Sequence, residues 1–136
     1  PIEEIIAIKM LELFLLSVIF ESLPEYKKDA TLSARRYSEI INFMNANICE
    51  SILLEDISKG THISSSYIKK LFKNYAGCGV MHYFTRLKII HSLNFIKQGM
   101  PINEISEKLS FSSPNYFSSV FKREMGILPS HYIQRN

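Results

Sequence analysis

Apolar positions recur along the chain at helical spacing, and from residue 37 onward they predict seven helices. The first spans about 37–48, with Ile40, Ile41, Phe43, Met44 and Ile48 inward. Shorter ones follow at about 54–60 and 64–76, then a long one at 80–98, and three more at 102–109, 114–125 and 129–135. The stripe of 64–76 is Tyr67, Ile68, Leu71, Phe72 and Tyr75; that of 114–125 is Phe117, Val120, Phe121 and Met125. Ser64 or Ser65 can accept bonds from the unpaired amides that open 64–76. Ser113 can do the same ahead of Pro114, whose missing N–H costs nothing at a first helical position. Gly77 and Gly126 stand where those two helices should end in a left-handed cap. Gly99-Met100-Pro101 breaks the chain after the long helix.

Residues 1–23, PIEEIIAIKMLELFLLSVIFESL, are strongly apolar from Ile5 to Phe20. Lys9 and Glu12 interrupt the run, and a membrane-spanning helix needs about 20 apolar residues. Ile8, Leu11, Leu15 and Val18 form a 3-4-3 seam, while Ile6, Met10, Leu13, Phe14 and Phe20 lie off it. A helix apolar on more than one face buries two sides, here one on its own domain and one on a twin. Pro24 should end this helix, and 25–36, charged and without a sustained period, reads as a linker with at most a turn of helix. Because the chain begins at Pro1, residues 1–23 read as the closing helix of an upstream domain in a longer protein.

The stretch YIKKLFKNYAG (67–77) returns as YFSSVFKREMG (116–126). Aligning Tyr67 with Tyr116 pairs Phe72 with Phe121, Lys73 with Lys122 and Gly77 with Gly126. The match continues through His82-Tyr83 and His131-Tyr132 to Arg86 and Arg135, and upstream DIS (56–58) answers EIS (104–106). Such a period means two copies of one supersecondary unit. Nine residues separate Ile57 from Tyr67 and ten separate Ile105 from Tyr116. Helices joined so closely cross steeply, as in a helix-turn-helix.

Composition sharpens this picture. The chain has 136 residues, 46% of them hydrophobic, with no Trp and only five Gly and five Pro, which suits a helical core. Residues 1–56 hold 5 Lys/Arg against 10 Asp/Glu, whereas residues 57–136 hold 11 against 3. A basic half suits a polyanion partner or a solvated helical surface. The outward faces discriminate better. Ser65, Ser66, Lys69, Lys70 and Lys73 lie opposite the first stripe; Asn115, Ser118, Ser119, Lys122 and Arg123 lie opposite the second. Small polar groups permit close approach to base edges, and cations neutralise phosphates. An ordinary solvated face would mix signs in Glu–Lys pairs, and 64–76 has no acidic residue. The 80–98 helix, about 28 Å long, is close to the ~34 Å between successive major-groove faces. Leu87, Ile90, Leu93, Phe95 and Ile96 offer it anchors to both units.

Little in the chain suits catalysis. His62, His82, His91 and His131 are dispersed, with no metal-ligand spacing, and no phosphate loop or carboxylate pair occurs. Cys49 and Cys78 are isolated thiols without a secretory signal, so no disulfide is implied. The reading is a non-enzyme without cofactor, metal or membrane span.

The stretch ISEKLSFSSPNYFSSVFKREMGILPSHY resembles the C-terminal signature of the AraC/XylS transcriptional regulators at Ile105, Phe111, Ser113, Tyr116, Phe117, Phe121, Lys122, Gly126, Pro129 and Tyr132. The first unit, with Tyr83, Arg86 and Leu93, fits the family's upstream half, so the resemblance covers about 38–135. It implies an all-α fold: two helix-turn-helix units (about 54–77 and 102–126) joined by a linker helix (about 80–98), within a DNA-binding domain of 37–136. Base-reading roles then fall on Ser66, Lys69 and Lys70, and on Pro114, Asn115, Ser118 and Ser119. Backbone contacts fall on Ser65, Lys73, Ser113, Lys122 and Arg123. The family often has Gly at position 110, Thr or Ser at 128 and an Arg near 119, where this chain has Ser110, Leu128 and Ser119. The first unit is therefore expected to supply most discrimination and the second to hold phosphates. The resemblance also implies double-stranded DNA and RNA polymerase as partners, a homodimer through Ile8, Leu11, Leu15 and Val18, and a place in the bacterial cytoplasm at the nucleoid. A rival reading is an interaction module that kept this fold with weak or lost DNA binding.

Overall fold

The computed structural model describes the backbone of residues 2–21 and 28–135 and the side chains of 2–19 and 31–135. Every regular element among the described residues is helical: α1 (Ile2–Glu21), α2 (Lys28–Ala46), α3 (Leu54–Thr61), α4 (Ser65–Tyr75), α5 (Val80–Lys97), α6 (Ile102–Lys108), α7 (Pro114–Met125) and α8 (Pro129–Arg135). Helices α3–α8 fall where the apolar spacing predicts them. Before Tyr37 the structure departs from expectation. Residues 28–36 are not an irregular linker but the opening turns of α2. None of the described side chains of 31–36 is fully buried, so the stretch carries no apolar stripe for the period to reveal. The stop expected at Pro24 lies outside the described residues.

The N-caps follow from serine chemistry. Ser64 Oγ accepts from the Tyr67 amide at 3.3 Å, and Ser113 Oγ from the Tyr116 amide at 3.0 Å. The hinge of each unit is a non-glycine residue in the left-handed region, His62 at φ 57° and Ser110 at φ 56°. Each stands five residues beyond its isoleucine, Ile57 or Ile105. The extra residue of the second copy is thereby located: one residue, Ile63, separates hinge from cap in the first unit, and two, Phe111 and Ser112, in the second.

Packing extends the repeat in both directions. Phe72 meets Tyr83 edge-on at 5.3 Å, and their counterparts Phe121 and Tyr132 do the same at 5.8 Å. Upstream, Ile40 and Met44 of α2 and Ile89 and Leu93 of α5, again 49 apart, are all buried. Helix α2 packs on α3 and α4; α5 packs on α4 and also on α6 and α7. Thus α5 closes the first copy and opens the second, and the buried residues form one continuous core. Of the anchors expected on α5, Leu93 and Ile96 are buried, while Leu87, Ile90 and Phe95 are half-buried. The deepest apolar side chain of α5 is Ile89, outside that set.

Helix α1 lies beside α2. Its first turn is held at the other end of the molecule, where Glu3 accepts from the Tyr132 hydroxyl at 2.5 Å and pairs with Lys97 at 3.1 Å. These partners hold the Glu3 carboxyl below its ordinary range. The expected burial of one side on its own domain is realised weakly: among the described side chains of α1, Ile6 alone is half-buried. The reason is the facing surface. Apart from Ala34, the residues of α2 that line a cleft with Ser17, namely Thr31, Arg35, Ser38, Glu39 and Asn42, are polar and offer an apolar helix little to bury against. No helix among the described residues is long and apolar enough to cross a membrane.

Candidate nucleic-acid interface

In α4, Ile68, Leu71 and Phe72 face the core, which leaves Ser66, Lys69, Lys70 and Lys73 exposed and Ser65 half-buried. No acidic side chain occurs in the helix. In α7, Phe117, Val120, Phe121 and Met125 are buried. Pro114, Asn115, Ser119, Lys122 and Arg123 are exposed, and Ser113 and Ser118 half-buried. Each of the two helices thus presents small hydroxyl or amide groups in its early turns and cations later.

The two helices are fastened by different chemistry. In α7, Glu124 is gripped by Arg86 Nε of α5 at 3.0 Å and by His82 Nε2 at 3.3 Å, with Arg123 Nε at 3.2 Å. Burial pushes the Glu124 carboxyl up, but the hydrogen bonds and charges of these neighbours outweigh it, and the carboxyl sits below its ordinary range. Arg123 therefore shares its guanidinium with this cluster, whereas Lys122 is exposed. In α4 the counterpart of Glu124 is Tyr75, stacked on Tyr37 of α2 at 5.1 Å, and Tyr37 also meets Phe72 at 4.9 Å.

Between the units lies a buried cation on the same face of α5 as Phe84 and Ser92. Lys88 of α5 donates to the carbonyl oxygens of Glu50, at 2.8 Å, and Leu109. Burial pushes its ammonium below the usual lysine range. Ser110 Oγ donates to the carbonyl oxygen of Cys49 at 2.6 Å. Every buried polar side-chain atom among the described residues has a partner.

Where α4 hands over to α5, a cleft of about 200 Å³ is lined by Lys69, Lys73, Gly77, Cys78, Gly79 and Val80. Helix α5 opens there without a side-chain cap. Gly77 at φ 67° and Gly126 at φ 81° end α4 and α7 in the left-handed conformation expected of them.

The helix-turn-helix domain family matches residues 57–135. The chain belongs to the AraC/XylS family of DNA-binding transcriptional regulators. Among AraC/XylS relatives, the transcriptional activator RhaR of Pectobacterium carotovorum subsp. carotovorum (strain PC1) is 27% identical over 127 residues, 93% of this chain and 44% of RhaR. A transcriptional regulator with an AraC-type DNA-binding domain from Chromobacterium violaceum superposes with a TM-score of 0.72 at 27% identity, covering 76% of this chain and 93% of that one. The DNA-binding domain of the global transcriptional factor AdpA, whose structure was solved in complex with a target DNA, shares the fold at a TM-score of 0.66 and 15% identity, covering 73% and 90%. This chain spans less than half the length of the curated AraC/XylS relatives it matches.

The AraC/XylS pattern also exposes an omission. Ser64, exposed and capping α4, is the true counterpart of Ser113, because the two are 49 apart. Ser64 stands beside Ser65, where a backbone contact is expected, and the 49-residue offset was the signal that could have found it. Ile8, Leu11, Leu15 and Val18 lie on α1 with 48–58% exposure.

Proposed function

We propose that this chain lays α4 and α7 into adjacent major-groove segments on one side of a DNA duplex. Ser66, Lys69 and Lys70 read bases in the first segment, and Pro114, Asn115, Ser118 and Ser119 meet base edges in the second. Ser65, Lys73, Ser113, Lys122 and Arg123 hold phosphates, joined by Ser64. One observation carries the reading: two equivalent helices, each serine-capped and with its polar and cationic face outward, share one 18-residue helix, α5, about 27 Å long. That length suits neighbouring grooves about 34 Å apart. The solved complex of the AdpA domain with DNA supports this use of the fold.

The two faces differ in strength. Lysines at 69, 70 and 73 let the first unit discriminate, while Asn115 and serines in the second suit positioning over phosphates and groove edges. Binding should weaken with salt along a log–log slope of about −0.9 per phosphate contacted. A flat salt response in a fluorescence-anisotropy titration would instead favour an interaction module of the same fold.

Helix α1 supports a homodimer through Ile8, Leu11, Leu15 and Val18, because these four apolar side chains are exposed. Sedimentation as a monomer at high concentration would count against it. The boundary between an upstream region and the DNA-binding domain then falls between α1 and α2. Relatives named as activators support contact with RNA polymerase in the bacterial cytoplasm, detectable as a supershift of the DNA complex by purified polymerase.

A further inference from the structure

Lys88 counts towards the basic half of the chain, yet it is 6% exposed and unavailable to phosphate. Its carbonyl partners belong to different units. Glu50 lies in the segment that leads into α3, and Leu109 caps α6. The rings of Phe84, at 4.9 Å, and Phe111, at 5.9 Å, flank the ammonium. A lysine has three donors on one flexible stem and can satisfy two carbonyls that no apolar side chain could. The Ser110–Cys49 bond crosses the same junction. Ser110 holds a backbone conformation that favours glycine, φ 56°, and glycine is common there in the AraC/XylS pattern. The serine adds a hydroxyl that ties the hinge of the second unit to the first.

We propose that Lys88 and Ser110 are positioning residues that lock the two helix-turn-helix units in one relative pose and so set the half-site spacing this chain accepts. Helix α5 alone fixes the distance between the units but leaves each side a pivot about its packing. The two ties lie off the helix axis and oppose that rotation. The inference rests on the two-groove reading above. A base pair inserted between half-sites moves the second by about 3.4 Å and about 35° around the duplex. A locked pose cannot follow that change; a pivoting one can follow part of it.

The test uses the full chain and duplexes that it selects from a random pool, re-synthesised with one or two base pairs inserted between the half-sites. The wild-type chain should lose about tenfold or more in affinity per insertion, the scale of a lost base contact. Ser110→Gly, which removes the hydroxyl without backbone strain, and Lys88→Met should lose less than about threefold, with helicity unchanged by circular dichroism. If folded variants keep the wild-type spacing penalty, the inference is overturned while the two-groove reading stands. Should Lys88→Met fail to fold, Ser110→Gly decides alone. If the wild-type chain shows no spacing penalty, the two-groove reading fails and the inference with it.

Discussion

Position 75 of α4 is a tyrosine stacked on Tyr37, and the equivalent position 124 of α7 is a glutamate held by Arg86 and His82. The caps, the left-handed hinges and the Phe–Tyr edge contact are the same in both units. One backbone plan therefore tolerates two ways of holding a recognition helix, an aromatic cluster in the first unit and an ionic one in the second. The outward faces diverge as well, lysine-rich in α4 and serine-rich in α7. What is preserved between the copies is the serine cap, the left-handed hinge and the aromatic contact of α4 and α7; what varies is what each helix presents and what grips its far end.

The strongest way to break this equivalence is in the core. Phe72 and Phe121 are both fully buried, so Phe72→Ala and Phe121→Ala should each cost about 3–5 kcal/mol. Urea unfolding of the two variants should give similar losses; a loss at 121 less than half that at 72 would mean the units are not structural equals. A second pair of variants separates the reading faces. Lys70→Ala should cost about 1–3 kcal/mol of affinity for a selected duplex, and Ser119→Ala well under half as much. A base-substitution scan with steeper losses in the second half-site would reverse the comparison.

Gly60 sharpens the contrast within α3. A Cβ there would lie 2.1 Å from Phe43 Cε2, so Gly60→Ala forces the ring aside and should cost about 1–3 kcal/mol in thermal unfolding. The counterpart in α6 is Lys108, whose ammonium lies over Phe95 at 5.0 Å, and Lys108→Ala should be nearly silent. The smallest effect concerns the ionic fastening. Glu124→Gln should cost about 1 kcal/mol or less at neutral pH, because Arg86 is partly solvated. The folded carboxyl sits below its ordinary value of 4.5, so its contribution is complete above that value and lost as pH falls through the lower folded one. Wild type and Glu124→Gln should therefore converge in stability towards acid, a convergence that no change at Tyr75 would produce.

Much of this architecture was legible in the chain because helices bury stripes and the stripes are long. The core faces of α4 and α7, their serine caps and their glycine stops all follow from local chemistry. The exposed faces that carry the candidate site residues were legible for the same reason, as the complement of a buried stripe. The opening of α2 was hidden, since turns with no fully buried side chain carry no period. Lys88 was hidden for a deeper reason. Its spacing from Phe84 and Ser92 puts it on the buried face of α5, but the two carbonyl groups that receive it lie 38 and 21 residues away in sequence, beyond the reach of any local pattern. The fastening at Glu124 was equally invisible, because Arg86 approaches from 38 residues upstream.

Because α5 serves as the last helix of one copy and the first of the next, the two copies share no seam along which they can be divided. A duplication that ended in two free-standing halves would have left a flexible hyphen between them, and each could drift or be lost independently. Here a truncation on either side of α5 would strip one flank of a shared wall, so the halves survive or fail together.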